Sequence, residues 1–295
     1  MDIKQLRYFL TIAEEGQITR AAKRLHMAQP PLSQQLKLLE QELGVQLVER
    51  MGRTLRLTEA GQNLRVRAEQ IIDLVELTVS ELAEHHKGIR GTISIGTVAS
   101  TGVTLLPERI RTFHQSYPMV YFQLWEGDTH RIMELLESRV IEVGIVRLPI
   151  DNLKKYNMLQ LPTEPVMAAI GPAWSAGGDN SPIRLSELAN LPILLLRRQH
   201  GTFIYEQFLE ACRQSGFEPH VLCESSDIMT LLALAEAGVG ITIVPKSAIN
   251  LHASTSLKFR EIIEPSLETT AAVIWLNNRI LSTPVRRFIE TFSAI

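Results

Sequence analysis

Polar and basic side chains able to bind nucleic acid cluster near the start of the chain. Ser33, Gln34 and Lys37 lie early in a segment with helical apolar periodicity and are predicted to face outward. Amide and hydroxyl groups hydrogen-bond to base edges in the major groove, and lysine contacts phosphates. Three arginines surround the turn that follows: Arg50, Arg53 and Arg56. This combination predicts a DNA-binding surface with a basic wing.

A helix-turn-helix is the element that would position these side chains. Thr19 is predicted to cap its first, short helix. Gln29 opens the second helix, Pro30 and Pro31 fit the first turn, and Gly44 ends it. The predicted buried stripe of this second helix is Leu32, Leu36, Leu39 and Leu43. The early residues of the second helix would then enter the major groove.

The distribution of charge places the DNA-binding surface in the same segment. The chain has a formal net charge of −2, yet residues 1–58 hold nine Lys/Arg and six Asp/Glu. Such a local basic surplus is typical of a nucleic-acid-binding unit. The residues expected to contact DNA are Thr19, Arg20, Gln29, Pro30, Ser33, Gln34, Lys37, Arg50 and Arg53. The alternative interpretation is a small helical hairpin whose polar face is only solvated.

The same segment resembles the N-terminal signature of LysR-type transcriptional regulators. The resemblance lies in Ala-Ala-Lys-Arg-Leu-His, Gln-Pro-Pro-Leu-Ser-Gln-Gln and Leu-Thr-Glu-Ala-Gly, which span roughly forty residues with the intervening motif. Ala28 departs from the Ser or Thr cap common in that family, and Val48 departs from its usual Phe. The resemblance implies an α/β protein with an N-terminal winged helix-turn-helix, a long linker helix and a C-terminal two-subdomain effector domain like periplasmic binding proteins.

Length and composition agree with two or three compact units in 295 residues. No apolar run approaches the roughly 20 residues of a membrane span, and the first segment lacks a signal-peptide core. A cytoplasmic protein without a membrane partner is therefore expected. Cys212 and Cys223, the two cysteines, are interpreted as small core residues, with a peroxide-sensing pair as the alternative.

A long helix is predicted between the N-terminal segment and the rest of the chain, beginning after a Thr58 cap. Its apolar residues follow heptad spacing, which is typical of a two-helix coiled coil: Ala60, Leu64, Ala68, Ile71, Val75, Val79 and Leu82. The residues expected to hold a homodimer are Leu64, Ile71, Val75, Val79 and Leu82. The alternative is that the seam packs on the chain's own C-terminal domain. The resemblance also implies dimers through this helix and further assembly into tetramers.

The remainder alternates between strands and helices, which predicts two parallel α/β halves separated by a cleft. The domains are accordingly expected at 1–58, 59–88 and 89–295. Subdomain I covers about 91–163 and 268–295, and subdomain II about 164–267. The predicted crossing segments are Pro149 to Glu164 and Glu264 to Thr270.

No catalytic motif or metal-ligand spacing is present, so neither an enzyme nor a cofactor is expected. Ligands of open α/β folds bind at the carboxyl ends of strands, beside helix N-termini. The residues expected there are Ser100, Thr101, Thr129, Arg147, Thr202 and Phe203. The fork of Arg147 fits a carboxylate, and the hydroxyls suit a second carboxylate or a carbonyl. Arg147 could instead pair with a neighbouring acid, and the hydroxyls could only cap helices.

These patterns together predict a DNA-binding regulator whose operator binding responds to a small organic acid. Its expected partners are double-stranded operator DNA, the effector, a second copy of the chain and, as a further candidate, RNA polymerase. Two other interpretations are a solute-binding protein and a thiol-based sensor. A solute-binding protein would have no use for residues 1–58.

Overall fold

A computed structural model describes residues 1–51, 54–87, 89–174, 181–196, 203–251 and 256–293. The chain divides into two compact units. The N-terminal unit comprises Met1–Gly88 with Asn278–Thr283. The C-terminal unit comprises Ile89–Asn277 with Pro284–Ile295.

The N-terminal unit is built from helices and one β-hairpin. In chain order its elements are α1 (Ile3–Glu15), α2 (Ile18–Arg24), α3 (Gln29–Leu43), β1 (Val48–Met51), β2 (Thr54–Leu57) and α4 (Glu59–Lys87). Asp2 starts α1 with a capping box, because its side chain accepts from the Gln5 N–H at 2.7 Å while the Gln5 side chain accepts from the Asp2 N–H. Gly16 ends α1 in the left-handed conformation, φ 60°, which favours glycine.

Two details of the predicted helix-turn-helix were wrong. Helix α2 begins at Ile18 after Gln17, so Thr19 lies within the first turn and is exposed rather than capping it. Gln17 is the last residue with an extended backbone, and Ile18, the first helical residue, is buried in the core. Leu43 is 37% exposed, because the last turn of α3 extends beyond the core. The start of α3 at Gln29, its end at Gly44 and the burial of Leu32, Leu36 and Leu39 are confirmed.

The predicted wing is an antiparallel hairpin of β1 and β2, and a carboxylate of α3 holds its base. Glu40 Oε1 accepts from the backbone N–H groups of Leu47 at 2.8 Å and Val48 at 3.3 Å. Thr58 caps α4 as expected, since its hydroxyl accepts from the Gly61 N–H at 3.0 Å. The hairpin therefore joins α3 directly to the start of the long helix.

The apolar seam of α4 lies in two different environments. Ala68 and Ile72 are buried against Leu6 of α1, and Leu64 packs against the same cluster. Val79 and Leu82 are each 64% exposed. Leu64 thus contributes to the unit's own core, whereas the later part of the seam is available to another chain.

The C-terminal unit begins with an alternating βαβαβ segment. Its elements are β3 (Arg90–Thr97), α5 (Ala99–Ser116), β4 (Met119–Glu126), α6 (Thr129–Glu137) and β5 (Val143–Arg147). Two further strands follow, β6 (Tyr156–Ile170) and β7 (Ile183–Arg184). Ile132, Leu135 and Leu136 of α6 pack on the sheet, so the helix covers one face of this first half.

The second half repeats the pattern. Its elements are β8 (Ile193–Leu196), α7 (Phe203–Gln214), β9 (Val221–Ser225), α8 (Ile228–Glu236) and β10 (Ile241–Pro245). The chain ends with β11 (Lys258–Ile263), β12 (Glu268–Leu276) and α9 (Thr283–Glu290). Strands β6, β7, β11 and β12 lie outside these two repeats.

The sheet order explains how the halves are joined. The path is β4-β3-β5-β12-β6-β10-β8-β9, with parallel triplets at both ends and antiparallel neighbours in the middle. Strand β6 pairs with β12 through Pro165 and with β10 from Val166 onward. The first predicted crossing segment is therefore largely a continuous strand. The strands next to the sheet's centre are antiparallel, a feature that the helix–strand alternation did not predict.

Candidate functional site

A cavity of about 630 Å³ lies in the C-terminal unit, where four helices begin. Ser100 near the start of α5, Thr129 of α6, Ile204 of α7 and Ile228 of α8 all line it. Each helix follows a parallel strand, so the carboxyl ends of the strands bring the helix starts together. Helix N-termini carry partial positive charge, which favours an anionic ligand.

The start of α5 differs from the starts of α6 and α8. Asp128 accepts from the Arg131 N–H at the start of α6, and Asp227 accepts from two backbone N–H groups at the start of α8. Val98 precedes α5, and no side chain caps this helix. The first turn of α5 is therefore the one among these three that lacks a carboxylate of the chain itself.

Arg147 ends β5 beside this uncapped turn and takes part in a buried polar network. Its Nη2 donates to Ser100 Oγ at 3.1 Å and to Ser247 Oγ at 2.8 Å. Its Nη1 lies 2.6 Å from Glu164 Oε1. The two charged side chains are only 13% and 21% exposed. Arg147 therefore pairs with an acid of the chain, Glu164, and Ser100 accepts a hydrogen bond from the same guanidinium.

The register of the sheet brings Arg147 and Glu164 together. Arg147 lies opposite Ala271 of β12, while Glu164 lies opposite Thr269 of the same strand. Positions two apart on β12 share one face of the sheet, so the long side chains meet across it. Sequence reasoning missed Glu164 and Ser247, because no fixed spacing along the chain marks a pair formed across an intervening strand.

Burial is the largest influence on the pKa of the Arg147 guanidinium. Desolvation lowers the pKa of its guanidinium, and the Glu164 carboxylate partly offsets that effect. The Nη1 atom is itself buried and lies against the Glu164 carboxylate, so this side of the guanidinium is occupied by an acid of the chain.

The network also connects the two halves of the unit. Glu164 accepts from the backbone N–H and the hydroxyl of Ser247 in the segment after β10. Thr104 of α5 donates to the Ser247 carbonyl at 3.2 Å, and Asn250 donates to Thr104 at the same distance. A ligand that contacts Ser100 or Arg147 would therefore adjoin polar contacts made by both halves.

The other predicted effector residues are distributed unevenly. Thr129 lines the cavity, and its hydroxyl accepts from the Arg147 N–H at 3.2 Å. Thr101 is 2% exposed and donates to the Val98 carbonyl, so it stabilises the turn instead of lining the cavity. Thr202 lies outside the described residues, and Phe203 opens α7 without a described side chain.

The predicted DNA-contacting residues lie largely on the surface of the N-terminal unit. The exposed ones are Thr19, Arg20, Gln29, Pro30, Gln34 and Lys37. Ser33 is half-buried, the side chain of Arg50 is not described, and Arg53 lies outside the described residues. Arg20 hydrogen-bonds to the Glu15 carbonyl, so part of its donor capacity is used within the chain.

The two cysteines occupy different environments on α7 and β9. Cys212 is buried, whereas Cys223 is half-exposed. Burial, followed by the charge of Glu218, raises the pKa of the Cys212 thiol to about 12. A thiol with such a pKa forms little of the reactive thiolate near neutral pH.

No helix in the described ranges is long and apolar enough to cross a membrane. Likewise, the described side chains include no group of three His, Cys, Asp or Glu residues arranged to hold a metal ion.

Comparisons with known proteins cover both units. A family model described as "LysR substrate binding domain" matches residues 86–294. A second model, "Bacterial regulatory helix-turn-helix protein, lysR family", matches residues 3–62. The chain is 35% identical over 295 residues to the HTH-type transcriptional regulator BsdA of Bacillus subtilis (strain 168), covering 99% of this chain and 100% of that protein.

Solved structures are also similar to this chain over its whole length. A full-length OxyR variant from Pseudomonas aeruginosa is similar with a TM-score of 0.69 at 26% identity, covering 100% of this chain and 94% of that one. Full-length CbnR complexed with its target DNA is similar with a TM-score of 0.61 at 26% identity, covering 100% and 99%. These matches extend through both the helix-turn-helix and the α/β unit.

Proposed function

Since the chain belongs to the LysR family of transcriptional regulators, we propose that it binds operator DNA as a homodimer and responds to a small carboxylate in the cleft of its C-terminal unit. The observation that carries the effector part is the uncapped start of α5 beside buried Arg147 in a cavity of about 630 Å³. Its partial positive charge favours an anionic ligand.

The helix-turn-helix supports the DNA-binding part of the proposal. Gln34 and Lys37 are exposed on α3, the second helix of the motif. CbnR, a similar full-length protein, is known in complex with its target DNA. Because operator DNA lies in the cytoplasm, a cytoplasmic location is part of this proposal. The proposal also includes RNA polymerase as a partner and assembly into a tetramer.

Gln34→Ala and Lys37→Ala should separate base recognition from phosphate contact. Lys37→Ala should weaken binding to operator and random DNA alike and reduce the dependence of affinity on salt by about one unit of slope. Gln34→Ala should mainly reduce the preference for the operator, by roughly 1–3 kcal/mol per lost base contact. Fluorescence anisotropy at several salt concentrations measures both. An equal loss on both DNAs for Gln34→Ala would contradict its assignment to base recognition.

The other functional interpretations now have less support. The relatives are transcriptional regulators, so the chain is not an enzyme, and the same relatives disfavour a solute-binding protein. The thiol-sensor alternative requires a reactive cysteine, yet the raised pKa of buried Cys212 disfavours the thiolate.

Cys212→Ala combined with Cys223→Ser should leave the effector response and operator binding intact. Cys212 serves as a small core residue, for which alanine is the closest apolar substitute, and Cys223 is half-exposed. Reporter expression with and without peroxide measures the outcome. Loss of a peroxide response present in the parent would contradict the carboxylate proposal in favour of redox sensing.

The direct test of the effector is a thermal-shift screen of the full chain against small organic acids. A ligand that binds the folded state raises the melting temperature by mass action. The same ligand should then change operator affinity in a mobility-shift titration. If no acid changes the melting temperature and the operator affinity, the effector part of the proposal is contradicted. The DNA-binding part does not depend on this result.

A further inference from the structure

The walls of the cavity differ in chemistry between the two halves of the C-terminal unit. The second half contributes apolar Leu196, Ile204 and Ile228. The first half contributes most of the polar and charged side chains, among them the acids Asp128, Glu134, Glu137 and Asp151. A ligand in this cavity would therefore meet an apolar surface on one side and a charged surface on the other.

The cations near these walls are already paired with acids. Arg147 lies 2.6 Å from Glu164, and Lys155 lies 2.9 Å from Glu137. The Lys155 hydrogen bond is the main reason why the pKa of Glu137 is lowered. Each of these positive charges is therefore matched inside the chain before any ligand arrives.

Glu134 of α6 is also paired with a cation of the chain. Glu134 accepts from Arg131 at 3.0 Å. His130 lies 3.4 Å from Glu134, a contact that becomes an ion pair only when the imidazole is protonated. The charge of Arg131 is therefore also balanced within α6.

Two acids of the cavity remain without a matching cation. Asp128 makes a hydrogen bond to a backbone N–H, and neither it nor Asp151 forms an ion pair within the part of the chain that the structure describes. With the other charges paired, these two carboxylates give the polar wall an excess of negative charge. A second anionic group on a ligand would be repelled by them.

One place in the same cavity has the opposite preference. The uncapped start of α5 lies beside Ser100 and carries partial positive charge, which favours a single anionic group there. This location and the two unmatched acids line one cavity. The cavity therefore combines one anion-binding end, one anion-repelling wall and one apolar wall.

We propose that the cleft selects effectors with one carboxylate and an apolar remainder, and that Asp128 and Asp151 reject dicarboxylates. The carboxylate binds at the start of α5, and the apolar part packs on Leu196, Ile204 and Ile228. This inference rests on the proposed carboxylate response and narrows its chemical class. It replaces the sequence-based idea that the hydroxyls hold a second carboxylate.

The test compares matched acids that differ by one carboxylate: hexanoate with adipate, and benzoate with terephthalate. Isothermal titration of the full chain should give roughly tenfold tighter binding of the monocarboxylate in at least one pair, from repulsion of the second charge at partly screened distances. The preference for the monocarboxylate should shrink at about 1 M salt, because the Debye length is then roughly 3 Å and the repulsion is screened.

Asp128→Asn combined with Asp151→Asn should reduce the preference for the monocarboxylate over the dicarboxylate, because the dicarboxylate then binds more tightly. Asparagine is itself a favoured N-cap, so α6 keeps its start. The control is Glu108→Gln with Glu210→Gln, which removes two exposed charges of the same unit away from the cavity lining. This control should leave the preference as in the parent.

The outcomes distinguish the inference from the proposed function. Two results would overturn the selection against dicarboxylates alone. One is equal affinity for both acids of each pair in the parent; the other is a gain in dicarboxylate affinity in the control as large as in the Asp128/Asp151 variant. An equal change for mono- and dicarboxylates in the Asp128/Asp151 variant would do the same. If none of the four acids binds, the carboxylate response is contradicted, and the inference falls with it.

Discussion

Val79→Asp is expected to convert the protein from a dimer to a monomer and to abolish operator binding. Val79 is 64% exposed on α4 and belongs to the predicted heptad seam. A dimer would bury this position, and an unpaired charge there costs several kcal/mol. Because the side chain is exposed within the single chain, the helix itself should still fold. Light scattering measures the mass, and a mobility-shift assay measures operator binding.

The matched control for this experiment is Val66→Asp. Val66 is an apolar residue on the same helix, 42% exposed, and it lies about 220° around the helix axis from Val79. A charge there should leave both the mass and operator binding unchanged. Val79→Asp is more informative than the same change at Ile71 or Val75, because these two are less exposed within the chain. An unchanged mass for Val79→Asp would mean that α4 does not hold the dimer.

Arg147→Ala should lower the free energy of unfolding by about 3–5 kcal/mol and remove the effector response. The change leaves Glu164 without its cation in a site where both side chains are mostly buried. It also removes donors to Ser100 and Ser247. Chemical denaturation measures the stability, and a titration of the responsive acid measures the effector effect. Operator binding without effector should survive, because the helix-turn-helix lies in the other unit.

Two companion variants separate the structural role of Arg147 from its role in ligand binding. Arg147→Met with Glu164→Gln removes both charges and should recover most of the lost stability, since a buried pair is often replaceable as a whole. It should nevertheless remain unresponsive to the acid. Arg147→Lys should restore the response only partly, because a point charge lacks the planar fork. An effector response in Arg147→Met/Glu164→Gln equal to the parent's would show that Arg147 does not bind the effector.

Features determined over short stretches of chain were predictable from the sequence. The boundaries of α3 follow from Pro30, Pro31 and Gly44, and its buried stripe follows from leucines three or four residues apart. The alternation of β3, α5, β4, α6 and β5 likewise shows in local apolar patterns. Such signals depend on backbone geometry within a turn or two, so they need no knowledge of distant residues.

Helix starts were less predictable, because core packing competes with local capping preference. Thr19 is a good N-cap residue, yet α2 begins at Ile18, which packs in the core as the first helical residue. At α5 the helix begins at Ala99, so the N-cap position is Val98 and neither of the two hydroxyl residues that follow. Ser100 and Thr101 consequently fall inside the first turn, where Ser100 faces the cavity and Thr101 does not.

The chemistry of the cleft was decided by tertiary structure. The sequence placed Arg147 correctly at the end of a strand, with no indication of which acid would meet it. Glu164 reaches it because β12 lies between β5 and β6, and Ser247 reaches it because the second half folds against α5. Charge balance in a cavity depends on such pairings across strands. Residue types alone therefore predicted an anion site, whereas the pairings left Asp128 and Asp151 unmatched and supplied the reason for selecting a single charge.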